Sequence, residues 1–139
     1  MASPAMIAPC LQAGPMECVI ACMSMILGLP YIDVVAACQA VDPNALKTGL
    51  TAGEACRAAK RLGHVLTAFA PLKVPKGKRS IPLEDLDDLT GILYVRKGNA
   101  YHAVVLFEGV VFDPSYGNIW QLASYLATHH VKPYRILLP

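Results

Sequence analysis

Residues 12–28 read Gln12-Ala-Gly-Pro-Met-Glu-Cys-Val-Ile-Ala-Cys-Met-Ser-Met-Ile-Leu-Gly28. A polar, turn-forming lead (Gln12, Gly14, Pro15) runs into an unbroken apolar block from Val19 to Leu27. Gly28 and Pro30 end that block, the first as a helix C-cap and the second as a residue that cannot continue a helix. A helix apolar on every side is a buried one, so this stretch predicts a central core helix. Cys18 falls in its first turn, where unpaired N–H groups and the positive end of the helix dipole favour an anion. That setting suits a nucleophilic thiol. Gln12, six residues upstream, is within reach to donate a hydrogen bond beside the sulfur, as an oxyanion-hole amide does. The competing reading is packing, because most helix cysteines are small hydrophobes. Cys22, on the same face one turn later, is assigned to packing.

Composition narrows the function classes. The chain has 139 residues, 55% of them hydrophobic and 16% charged, which predicts one domain over 1–139 with a real core. A net charge of +2, with no basic stripe carrying interleaved aromatics, argues against a nucleic-acid partner. Lys73, Lys76, Lys78 and Arg79 do cluster, but Pro71, Pro75, Gly77 and Pro82 around them make this a solvated loop. The five cysteines (10, 18, 22, 38 and 56) include no CxxC. A zinc site built from Cys18, Cys22 and a distant His is therefore disfavoured, and no metal or cofactor is expected. An odd cysteine count fits a reducing compartment better than a disulfide framework. No Lys or Arg precedes Lys47, as a signal peptide would require, and the Val19–Leu29 block is too short to span a bilayer. The expectation is a cytoplasmic protein with no membrane span.

Further along, 33–41 predicts a second helix ending at Asp42-Pro43. Thr51 and Glu54 form a capping-box pattern ahead of a helix over 55–62 closed by Gly63. A short strand is predicted over 65–70 and a helical turn at Leu83, Leu86 and Leu89. From Gly91 the periodicity changes to an antiparallel meander: 92–95, a Lys97-Gly98-Asn99 turn, 101–107 and 110–112. A helix over 119–130 and a strand over 134–138 complete the chain. Helices first and strands later indicate α+β, with the central helix packed on an antiparallel sheet.

The meander permits a register argument. If Glu108-Gly109 is a two-residue hairpin loop, Phe107 pairs with Val110 and Val104 lies opposite Asp113. His102 shares a face with Val104, so His102 and Asp113 become diagonal neighbours, roughly 7–8 Å apart at the backbone. A carboxylate there would fix the imidazole tautomer and stabilise the imidazolium. A core histidine bonded to a carbonyl, and an aspartate serving the turn before Pro114, are the plainer readings of each residue alone. Their shared face, with Gln12 and Cys18 upstream, shifts the balance toward a site. His64, His129 and His130 have no comparable partner and are assigned to the surface.

Taken together, Gln12, Glu17-Cys18, the apolar helix, His102-Ala-Val-Val105 and Phe112-Asp113-Pro114 resemble the papain-like cysteine peptidases that process bacteriocin leader peptides after a double glycine. The segment 48–63 is similar to that family's second helix, and 86–95 to its approach to the catalytic strand. The resemblance implies a papain-like fold, with Cys18 as nucleophile, His102 as general base, Asp113 as orienting group and Gln12 as oxyanion donor. It implies a peptide or protein substrate and no cofactor. The family's usual Asp-Cys-Gly is Glu17-Cys18-Val19 here; Val19 narrows the backbone approach and Glu17 adds a negative charge. Members are often fused to a membrane transporter, whereas these residues predict a free-standing domain. The alternatives on the same chemistry are a glutamine deamidase or an acyl transferase. From another class, the alternative is a non-catalytic peptide-binding or assembly module.

Overall fold

The computed structural model describes residues 8–70 and 80–139. The basic loop expected around Lys73 to Arg79 lies outside them. Among the described residues the chain is α+β: five helices and one open six-stranded antiparallel sheet.

Helix α1 spans Cys18–Leu27 and buries Val19, Ile20, Ala21, Cys22, Met23 and Met25. It ends as its sequence requires. Gly28 adopts φ 66°, its N–H returns to the Ser24 carbonyl, and Ser24 Oγ donates to Leu29 O at 2.7 Å. Helix α2 is Tyr31–Val41, two residues earlier than the sequence suggested, because Pro30 serves as its N-cap and Val34 N bonds Pro30 O. A single turn, α3 (Ala45–Thr48), leads to α4 (Ala52–Arg61). The capping box forms as predicted: Glu54 N donates to Thr51 Oγ1 at 3.1 Å and Thr51 N to Glu54 Oε1 at 2.9 Å. The buried face of α4 is all alanine (52, 55, 58, 59), which lets α2 pack closely against it.

The strands are β1 (Thr67–Phe69), β2 (Thr90–Lys97), β3 (Ala100–Phe107), β4 (Val110–Phe112), β5 (Ile119–Gln121) and β6 (Lys132–Leu138), in the order β1-β6-β2-β3-β4-β5. A 3₁₀ turn at Leu83–Asp85 precedes β2 and leads to the fully buried Leu86. The β3–β4 register is the one inferred above, Phe107↔Val110 and Val105↔Phe112, with Glu108 and Gly109 both at positive φ in the two-residue loop. At Gly91 the Leu137 carbonyl packs where a Cβ would stand, so only glycine fits that point of β2.

One expectation about the elements needs correction. Residues 119–130 are not all helix: Ile119–Gln121 form β5, paired with β4, and helix α5 is Leu122–His129. Pairing along the otherwise open edge of β4 overrides the local helical pattern. The sheet is also covered on both faces. Helix α1 packs with Ala103 and Val105 on one side, and α5 packs with Val104, Leu106 and Val111 on the other. This explains why 103–107 is a continuous apolar run rather than an alternating one. Among the described residues no helix is long and apolar enough to cross a membrane.

Candidate active site

Cys18 is the first residue of α1, so its own N–H lies among those that no helical carbonyl can satisfy. Glu17, the N-cap, makes no side-chain cap. Its Oε1 instead accepts from Tyr31 Oη at 2.9 Å, and Tyr31 Oη accepts from Ala13 N at 3.1 Å. The acidic neighbour of Cys18 is thus tied to α2.

His102 stands near the start of β3, beyond the point where β4 stops. The last β3–β4 pair is Val105↔Phe112, which leaves the edge of β3 open beside the imidazole. There the ring reaches two partners. His102 Nε2 lies 2.8 Å from Asp113 Oδ1 and 3.4 Å from Ser115 Oγ, and Cys18 lines the same cleft as the ring. With Nε2 on the carboxylate, Nδ1 is the ring nitrogen that Asp113 leaves unengaged.

Asp113 is 1% exposed, and both of its oxygens are occupied. Oδ1 also accepts Ser115 N at 2.9 Å, closing an Asx turn across Pro114, and Oδ2 accepts Tyr125 Oη at 2.6 Å. Burial works against its charge, but the bonds from His102, Tyr125 and Ser115 outweigh burial and hold its pKa below the ordinary value. For His102, burial also opposes charge. Its bond to Asp113, and after it the nearby Cys18, push its pKa up to about 9, so the ring is an imidazolium at neutral pH. Cys22, fully buried one turn after Cys18, is raised well above the usual thiol value, chiefly by burial and then by its neighbours Cys18, Asp113 and Cys10. It packs as a neutral thiol.

Gln12 is anchored to the same loop. Its N–H donates to Pro114 O at 3.1 Å, its Oε1 accepts Ser115 Oγ at 3.0 Å, and its Nε2 donates to Gly14 O at 2.8 Å. Ser115 Oγ lies 3.4 Å from His102 Nε2 and so bridges the amide to the imidazole. Gln12 thus sits beside the His–Asp pair with one amide hydrogen committed to Gly14 and one unassigned.

A cleft of about 360 Å³ opens beside Cys18 and His102. Met16, Val19 and 48–52 form one side, and Tyr94, Tyr101 and Tyr134 the other. The tyrosine side depends on a β-bulge. Tyr94 pairs with Arg135 but Val95 pairs with Pro133, so Tyr134 is the extra residue, and Tyr134 and Arg135 both line the cleft. Tyr134 packs edge-on against Tyr94 and Tyr101, with centroids 6.1 and 5.7 Å away.

Sequence reasoning missed three residues. Ser115 could have been found from Asp113-Pro-Ser as an Asx turn. Tyr125 carried only its spacing from Leu122, and Tyr134 carried no signal, because a bulge is not written locally. His129 also needs correction. It is half-buried, packed against Tyr125 at 4.5 Å and Trp120 at 5.1 Å between ring centroids, rather than a surface residue. No group of three or more potential metal ligands occurs among the described residues. Comparison with known proteins adds no relative: no family model matches this chain, and no curated protein does.

Proposed function

We propose that the protein is a papain-like cysteine peptidase that cleaves a peptide after a double glycine. The observation that carries this reading is the Cys18–His102–Asp113 relay at the mouth of a cleft. Cys18 and His102 line one cleft, and a buried carboxylate holds the imidazole through Nε2.

In the proposed reaction the Cys18 sulfur attacks the scissile carbonyl carbon, and the proton it gives up resides on His102. The Cys18 N–H and the second amide hydrogen of Gln12 receive the developing oxyanion. As the C–N bond breaks, His102 delivers its proton to the leaving amine, and an acyl-thioester remains. Water, losing a proton to His102, then attacks the thioester, releasing the carboxylate and restoring the thiol. Val19 and Met16 line the cleft with Cys18, and side chains of that bulk favour glycine in the peptide beside them.

The test is mass-spectrometric profiling of a peptide library with wild type and Cys18→Ala. Cuts after Gly-Gly, lost in Cys18→Ala and lost when either glycine becomes bulky, are expected. Ammonia release from glutamine without chain cleavage would replace this reading with deamidation. No acyl-thioester on Cys18 with any substrate would leave a binding module.

A further inference from the structure

We propose that Tyr125, on the face of the sheet opposite α1, is a positioning residue whose hydroxyl clamps the Asp113 carboxylate in one orientation toward His102. The inference deepens the catalytic reading above and rests on it for its effect on turnover.

The argument begins with how a carboxylate is held. Ser115 N and His102 Nε2 both bond Oδ1. Those two bonds hold only one end of the carboxylate. The Tyr125 bond to Oδ2 holds the other end, so the plane of the carboxylate is fixed at both oxygens. At 2.6 Å it has the short length of an O–H donor on an ionised acceptor. Without it, Oδ2 would be a buried carboxylate oxygen with no hydrogen-bond partner among the described residues.

Tyr125 is itself immobilised. It is 2% exposed, its ring meets Trp120 edge-on at 6.1 Å and His129 at 4.5 Å, and it belongs to the core beneath β3 and β4. Burial, followed by the carboxylate it faces, raises the phenol's pKa, so the hydroxyl stays a donor throughout the working range. The titratable groups around Asp113 are His102 from β3, Tyr125 from α5 and Cys22 from α1, with Tyr116 beyond the phenol. Of these, Tyr125 and Cys22 are neutral at pH 7, so the phenol is a donor that adds no charge of its own.

The experiment compares wild type, Tyr125→Phe and protein carrying 3-fluorotyrosine at position 125, a stronger donor of nearly the same shape. Asp113 is followed by its ¹³C-carboxyl titration, His102 by its ring resonances, and peptide cleavage by kcat and KM. In Tyr125→Phe the Asp113 midpoint is expected to rise by about one pH unit. There kcat should fall on the order of tenfold with KM unchanged. The fluorinated protein should move the Asp113 midpoint the opposite way. If Tyr125→Phe does not fold, the fluorinated protein still gives this readout. Midpoints unchanged in every variant that folds would reduce Tyr125 to a packing residue and overturn the proposal. Absence of peptide cleavage in wild type would sink the peptidase reading while leaving both titrations readable.

Discussion

Asp113→Asn tests the electrostatics of the relay without requiring a known substrate. Asparagine is nearly isosteric. Its oxygen can still accept from His102 Nε2 and Ser115 N, and its NH₂ can donate to the Tyr125 oxygen, so the loop has no reason to move. What disappears is the negative charge. In wild type the ring's pKa is pushed from 6.5 to about 9, against burial, first by the bond to Asp113. That interval corresponds to roughly 3 kcal/mol favouring the protonated ring. The residual 27% exposure of the ring and the contribution of Cys18 reduce Asp113's own share to about 2 kcal/mol. The sign follows from the direction of the shift. A raised histidine stabilises the fold fully below its unfolded pKa of 6.5. That stability is lost as pH rises through about 9. Wild type should therefore exceed Asp113→Asn in stability at pH 6 by more than at pH 9.5, the gap shrinking by about 2 kcal/mol. Urea unfolding at both pH values measures the gap, and the His102 ring resonances give its midpoint directly, expected to fall toward 6.5 in the variant. A His102 midpoint still near 9 in Asp113→Asn, or a gap that does not change with pH, would refute this account of the pair.

Cys18→Ala should abolish acyl-enzyme formation with the thermal midpoint little changed, whereas Cys22→Ala, fully buried, should lose about 1 kcal/mol of stability and keep most activity; turnover beside thermal unfolding distinguishes them. Gln12→Ala should lower kcat by roughly 10²–10³ if the unassigned amide hydrogen serves the oxyanion. Steady-state kinetics at fixed pH check this, and an unchanged kcat would restrict Gln12 to anchoring the Pro114–Ser115 loop. Thr51→Ala removes one arm of the capping box and should cost about 1 kcal/mol in chemical denaturation.

Legibility in the sequence followed the range of the interaction. The 12–28 stretch announced a buried helix with Cys18 at its head because apolar periodicity and capping are local. The His102–Asp113 pairing was also legible, although the two lie eleven residues apart, because a two-residue loop at Glu108-Gly109 fixes the whole register. Where a partner arrives from elsewhere in the chain, local reading failed. Ile119–Gln121 has helical company on its C-terminal side but an open β4 edge in space, and the edge won. The commitment of Gln12 to Ser115 was invisible for the same reason. Tyr125 looked like one apolar position of a helix, and only the tertiary fold shows that its hydroxyl ends on a carboxylate.

The placing of Cys18 and His102 on one cleft depends on where one strand stops. Cys18 belongs to the helical layer on one face of the sheet, with Ala103 and Val105. His102 alternates with Val104 and Leu106, which face the other layer. A full-length β4 would run along this part of β3 and close its edge between them. Pro114 prevents that, since it has no N–H to give a ladder, and Asp113 N instead makes a long 3.5 Å bond to Asn118 O. The chain leaves the sheet there, and the edge of β3 stays open at His102. The same departure frees the Asp113 side chain to fold back onto the imidazole and the Pro114 carbonyl to receive Gln12 N. One Asp-Pro dipeptide thus ends the strand, opens the edge and supplies the carboxylate, which is why these functions sit next to each other in the sequence.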